Sequence, residues 1–332
     1  MQACRKDTTN PPFSTIYTYT GGTTTPTLSL STPLPTALPG APSYPSAFTI
    51  NPDLPTEYMN QWSFDVQRGL WHGGALDVEY IGSHAVRLDR SYYNNTPLPG
   101  AGNVNLRRPN QLFGSIRTIQ NDETSSYNAL NLVYRQQLFH GFSGLVSYTW
   151  SHDLDASSDS NNGSPMNPYN WKEDYGNANW DVRHRVVASW VYELPFFRQS
   201  QGALVRNTLG NWQLNGIATL QTGYPFNVTI SNDQANNGLG GQRPNIIGSL
   251  SPNCGQGHLK NCISSSAATV FQVPTLYTFG DLGRNTFRGP DLINFDMSMF
   301  KNIRLGERVK LQIRGEFFDL FNHPSFSNPG RS

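Results

Sequence analysis

Very little in this chain of 332 residues is charged or reactive. Lys, Arg, Asp and Glu together make up only 14% of it, and the formal net charge is +1. There is therefore no basic field to gather nucleic acid and no acidic tail. No run of about 18 apolar residues occurs, so no transmembrane helix is encoded. The N-terminal Met1-Gln2-Ala3-Cys4-Arg5-Lys6-Asp7 lacks the apolar stretch of a secretory signal. Cys4 is then no lipid-anchored cysteine either. The HExxH, GxSxG, P-loop and GxGxxG patterns are all missing. The 7 His are scattered, and His184 has no second His or Cys at ligand spacing. With no convergent nucleophile, base and orienting group, the expectation is a protein that is not an enzyme and carries no metal or cofactor.

What the chain has instead is alternation, and it comes in pairs. In the first pair, Trp62, Phe64 and Val66 return as Leu76, Val78 and Tyr80 after a turn at His72-Gly73-Gly74. Ser63, Asp65, Gln67, Asp77 and Glu79 occupy the other face. In the second, Leu130, Leu132, Tyr134 and Leu138 turn near His140-Gly141 into Phe142, Gly144, Val146, Tyr148 and Trp150. In the third, Val186, Ala188, Trp190, Tyr192 and Leu194 are followed by Trp212, Leu214, Gly216, Ala218 and Leu220. In the fourth, Ile293, Phe295, Met297 and Met299 turn at Leu305-Gly306-Glu307 into Val309, Leu311, Ile313 and Phe317. Successive strand residues point to opposite faces, so every one of these ribbons is greasy on one side and polar on the other.

Most connections within a pair are short, and those between pairs are long and polar. Short turns at one end and long loops at the other suit a transmembrane β-barrel of the outer-membrane type. The fold class expected is all-β, an antiparallel barrel of about 8–10 strands with long external loops. Mean hydropathy is −0.48, as a barrel requires when only alternate residues meet lipid. Amphipathic rings near strand ends, Trp62, Tyr80, Tyr148, Trp150, Trp190 and Tyr192, would form the interfacial girdle. A secreted β-sandwich that binds carbohydrate or acts as an adhesin also alternates, and it is the competing architecture.

Residues 1–57 are rich in Pro, Thr and Ser and read as extended loop with at most one strand, Phe13 to Thr20. Residues 58–332 read as the barrel segment. Within it, Leu88 to Glu123, Asp153 to Trp180 and Gly223 to Pro290 read as long loops. The acidic run Asp153 to Gly163 resembles a calcium loop only superficially. Its spacing misses the EF-hand pattern, and a solvated turn is the simpler reading. Asp181-Val182-Arg183-His184-Arg185 is a charged knot at a strand start. It either lines a lumen or ties strand to loop by local ion pairs. Cys254 and Cys262 lie eight positions apart within the longest loop; a close disulfide and two free thiols both remain open.

Several stretches resemble the C-terminal barrel region of TonB-dependent receptors of the Oar-like type. They include Asn10-Pro11-Pro12-Phe13, Tyr58 to Arg68, Val78 to Ser83, Tyr127 to Leu130 and Tyr148 to Ser151. Asp181 to Arg185, Asn211 to Gly216 and Glu316 to Pro324 follow in the family's order. The resemblance implies a portion of a barrel of about 22 strands around a plug. It implies energised uptake driven by a TonB-type inner-membrane complex that acts through a plug not found in these 332 residues. The partners are then outer-membrane lipid, that complex, and a small substrate of unknown identity. A chain without leader, plug or closing strand is expected to be a fragment of a longer product. On this reading Arg135, Arg185, Glu193, Asp296, Lys310, Arg314 and Glu316 face the lumen, and opposite charges on neighbouring strands neutralise one another.

Overall fold

A computed structural model describes residues 44–158, 165–197, 202–248, 270–304 and 309–329. Its strands, in chain order, are β1 (Ala47–Ile50), β2 (Tyr58–Gly69), β3 (Gly74–Tyr93), β4 (Ile116–Phe139), β5 (Phe142–Asp155), β6 (Gly176–Asn177) and β7 (His184–Glu193). There follow β8 (Trp212–Gln221), β9 (Pro225–Phe226), β10 (Asn245–Ile246), β11 (Phe271–Gln272), β12 (Phe287–Arg288), β13 (Leu292–Arg304) and β14 (Lys310–Phe317). Two short helices, α1 (Val104–Arg107) and α2 (Ala203–Thr208), sit in connections.

One sheet dominates. Its order is β14-β13-β8-β7-β5-β4-β3-β2, antiparallel throughout, and no pairing joins β2 to β14 among the described residues. All four expected hairpins are present. The tightest turns at His140-Gly141, where both residues take positive φ (49° and 84°) and Phe139 pairs with Phe142. Two consecutive positive-φ residues match the right-handed twist of the flanking strands. A Cβ on Gly141 would stand 2.6 Å from the Glu193 carbonyl oxygen, so the position admits only glycine.

The register sorts the side chains cleanly. Val66, Val78, Leu132, Tyr148, Val186, Leu220 and Ile293 form one cross-strand row over seven strands. Arg68, Leu76, Tyr134, Val146, Ala188, Ala218 and Phe295 form the next row on the same face. The opposite face reads Asp65, Glu79, Asn131, Thr149, Arg185 and Gln221. No second layer covers the apolar rows among the described residues: Phe64 is 68% exposed and Val66 49%. In a sandwich these side chains would be buried between sheets. Left in water they would forgo about 25 cal/mol for each Å² of apolar area, which is the reason such a face meets hydrocarbon.

Two large rings close-pack on this face against glycines of a neighbouring strand. The Trp62 indole lies over Gly82, and that of Trp190 over Gly216; a Cβ at either glycine would come within 2.2 Å of the ring. A missing side chain on one strand thus makes room for an aromatic on the next.

Two expectations need correction. The segment from Leu88 to Glu123 is not all loop. β3 runs 20 residues to Tyr93 and β4 runs 24 from Ile116, so only 94–115 connect them. At about 3.3 Å per residue, β4 is roughly 80 Å long, far beyond what a bilayer needs. Its outer half carries no clean alternation because neither face there meets lipid. The register shifts between Val86 and Leu88, where Arg87 has φ 61°, and this bulge separates the two regimes. The second correction concerns the Pro-rich lead-in. β1 pairs parallel to Ile116–Ile119 on β4. β5 reaches only as far as Ser126 on β4, which leaves that edge open for β1. The strand expected at Phe13 to Thr20 lies outside the described residues, as does the turn at Leu305-Gly306-Glu307.

Candidate functional site

Above the row of Trp150 and His184 the described parts of the three long connections, 94–115, 156–158 with 165–183, and 222–248 with 270–291, pack on one another over the outer ends of β3, β4 and β5. The buried apolar cluster Phe226, Leu282 and Phe287 is here, joined by Val228 and Phe271, and not between sheet faces. Most of what is buried in this cap is polar, including Asn237, Gln242, Asn285 and Thr96.

Ion pairs hold the connections together. Arg243 Nη1 donates to Asp174 Oδ1 at 2.6 Å, and Arg284 Nη1 to Asp155 Oδ1 at 2.6 Å. Arg90 bonds Asp122 through Nε at 2.5 Å and Nη2 at 2.7 Å. Asp181 accepts from Arg288 and, at 3.2 Å, from Arg183. Arg243, Arg284 and their aspartates are all buried, which is tolerable only because each charge is paired and further hydrogen-bonded. Arg243 Nε also donates to the Leu282 carbonyl at 2.7 Å, and Arg284 Nη2 to Ser158 Oγ at 2.7 Å. Asn236 extends the lattice with Nδ2 bonds of 2.8 Å to the carbonyls of Gly100 and Gly102.

Glu123, on the outer part of β4, is 1% exposed. Its Oε1 accepts from the backbone N–H of Ala156 at 2.8 Å and from that of Ser157, while Oε2 is buried without a hydrogen-bond partner. Burial pushes its carboxyl up to about 7, against the two backbone bonds that hold it down. Asp153, bonded to the Trp180 indole N–H at 3.1 Å, is pushed up to about 6 by burial and then by Asp155. His152 is held below the usual imidazole range by burial and by Arg183.

A polar pocket of about 530 Å³ opens within the cap, lined by Arg90, Arg243, Arg284, Asp174, Trp171 and the Gly240-Gly241 backbone among others. A second concavity, about 670 Å³, lies over the sheet and is walled by Arg135, Ser143, Ser189, Asn215, Asp296, Ser298 and Glu316 from the polar face.

All seven charged residues expected on one side do share a face. Arg135 and Asp296 lie in one cross-strand row through Leu145, Ser189 and Ile217. Glu193 and Arg314 share another through Gln213 and Phe300. Arg185 pairs with Thr149 and Gln221, Glu316 with Ser298, and Lys310 with Arg304. None of the seven therefore sits directly opposite a counter-charge in the register. The register sets polar neutral or apolar residues between them. Arg314 instead stacks on Phe300, 4.9 Å from its centroid, and Asp296 accepts from the Asp319 N–H at 2.9 Å.

The six girdle aromatics share the apolar face in two bands. Trp62, Tyr80, Tyr148 and Trp150 lie toward the cap, and Trp190 and Tyr192 toward the short turns. The knot Asp181 to Arg185 is a strand-to-loop tie: Asp181 is buried and bridges Arg183 and Arg288, while Arg185 alone of its two arginines turns to the polar face. The acidic run is not a solvated turn where it is described, since Asp153 and Asp155 end β5 inside the lattice. Residues 159–163, Cys254 and Cys262 lie outside the described residues.

Sequence reasoning missed Arg90, Glu123, Asp174, Arg243, Arg284 and Arg288. Their partners stand up to 129 positions away, and no periodicity announces them. The one local signal is arginine set beside glycine, asparagine and proline, as in Gly241-Gln242-Arg243-Pro244 and Gly283-Arg284-Asn285.

An antiparallel sheet with one continuous apolar face, one polar concave face and its long connections gathered at one end is the wall of a membrane β-barrel. The chain belongs to the outer membrane beta barrel domain family, whose profile matches residues 2–332. This places the protein in the outer membrane. No curated protein matches it. Among solved structures it is similar to the outer membrane transporter YddB from Escherichia coli, at 10% identity and a TM-score of 0.45. That alignment covers 86% of this chain and 31% of the transporter.

Proposed function

We propose that this chain supplies part of the wall and outer loops of a TonB-dependent, Oar-like transporter that takes up a small substrate by energised passage, and that it performs no catalysis. The observation that carries this reading is the division of labour between its two ends. A bilayer-length sheet with a charged polar face leads up to a loop cap built around a polar pocket. A passive structural wall has no use for either feature. The motifs from Tyr58 to Arg68, Asp181 to Arg185 and Glu316 to Pro324 support the Oar-like assignment. On this reading the cap and pocket capture substrate outside the cell, the polar face lines the passage, and an inner-membrane motor acts through a plug.

The test is genetic and uses the native host. Disrupting the gene for this chain and disrupting the energy-transducing inner-membrane protein should abolish accumulation of the same solutes. Loss on disrupting this gene, with normal uptake when the motor is absent, would make the protein a passive channel.

A further inference from the structure

We infer that the cap pocket is a binding site for a small molecule bearing an oxyanion, a carboxylate or a phosphate. This names the substrate chemistry of the capture site and rests on the transport reading for its biological use, though not for its measurement.

Ala235 and Asn237 in the cap are fully buried, at 0% exposure. Yet the cap keeps a pocket of about 530 Å³ among its arginines. That is within the roughly 300–1,000 Å³ range of small-molecule sites.

The wall chemistry selects the ligand. Three arginines, Arg90, Arg243 and Arg284, line the pocket, against one carboxylate residue, Asp174. The carboxylates that pair Arg90 and Arg284, Asp122 and Asp155, are not part of the lining. The lining therefore offers more arginine than carboxylate, with the partner carboxylates of Arg90 and Arg284 set one layer behind it. Those aspartates also fix each fork in place before a ligand arrives, which lowers the ordering cost of binding. A guanidinium carries five N–H donors in a plane and matches carboxylate or phosphate two bonds at a time. Trp171 adds a flat apolar wall for the ligand's carbon skeleton.

Gly240 allows a test that leaves every ion pair intact. It lines the pocket, and a Cβ built on it meets nothing within 4 Å. The purified full chain in detergent is titrated with inorganic phosphate, glucuronate and glucose, followed by calorimetry and tryptophan fluorescence. Glucuronate, phosphate or both should bind and glucose should not; which of the two binds tells a sugar acid from a phosphate ligand. Gly240→Phe should weaken binding roughly tenfold or more while keeping heat-modifiable gel mobility. Trp171→Ala, in case the first variant misfolds, should weaken glucuronate more than phosphate. Glucose binding as well as glucuronate, unchanged affinity in folded Gly240→Phe, or no binding of either anion at millimolar concentration would each overturn the inference. Binding intact in the purified chain, with uptake in cells that does not depend on the chain or on the motor, would sink the transport reading instead.

Discussion

Glu123 is the residue at which burial and ionisation oppose each other most plainly. Its folded carboxyl titrates near 7, against an ordinary value of 4.5. Between those values the folded chain holds a proton that the unfolded chain has released, so folding is favoured at the acid end and loses that advantage as pH rises to about 7. The thermal midpoint in detergent should therefore fall across this window, and Glu123→Gln should flatten the fall. Part of the slope should survive in that variant, because Asp153 is displaced in the same direction. An identical profile in the two proteins would refute the assignment. Arg284 makes the complementary case. Arg284→Ala leaves Asp155 buried and unpaired, and breaking such a pair costs about 3–5 kcal/mol. Limited proteolysis should then cut within 156–183 before the sheet, while the double variant Arg284→Met/Asp155→Leu should regain part of the protection. Neither role is legible from sequence. Glu123 looks like one polar residue of a polar loop, and Arg284 meets Asp155 only because a connection crosses the end of β5, 129 positions away in the chain.

At the scale of the strand, the sequence is far more candid. The hairpin partners, their faces and the turns at His72-Gly73-Gly74 and His140-Gly141 could be read from period-2 alternation, because a bilayer imposes one rule on every membrane-facing position. Val146 and Ser147 are neighbours on β5 that obey this rule in opposite senses: Val146 pairs with Tyr134 and Ala188 on the apolar face, Ser147 with Val133 and Val187 on the other. Val146→Lys should destabilise the inserted protein by about 2–4 kcal/mol, the cost of a cation at mid-depth, and Ser147→Lys by much less. Urea unfolding from lipid vesicles measures both; equal losses would show that the two faces see the same medium. The alternation fails as a guide beyond Val86 on β3 and before Thr124 on β4. There the strands leave lipid, their faces pack on loops, and hydrophobic period carries no information. The short β1 was hidden for a related reason, since it exists only to fill an edge of β4 that β5 leaves open.

The whole molecule is a wall with a structured rim. Expressed with an export signal, it should fractionate with outer membranes and migrate differently on gels before and after boiling; recovery as a soluble, heat-indifferent species would contradict a membrane sheet. Its open sheet, its exposed apolar rows and its match to the outer membrane beta barrel family all lead to that expectation. Sequence alone determined which segments pair as hairpins and which side of each meets lipid. These are local consequences of strand geometry, repeated identically in every crossing. Tertiary structure alone decided that the described parts of the long connections form a buried lattice of arginines and aspartates around a pocket. It decided too that none of the seven charges expected on the polar face has an opposite charge directly across the register. Both outcomes depend on register and on contacts between distant segments, and no short-range pattern in a chain encodes which distant carboxylate a given guanidinium will find.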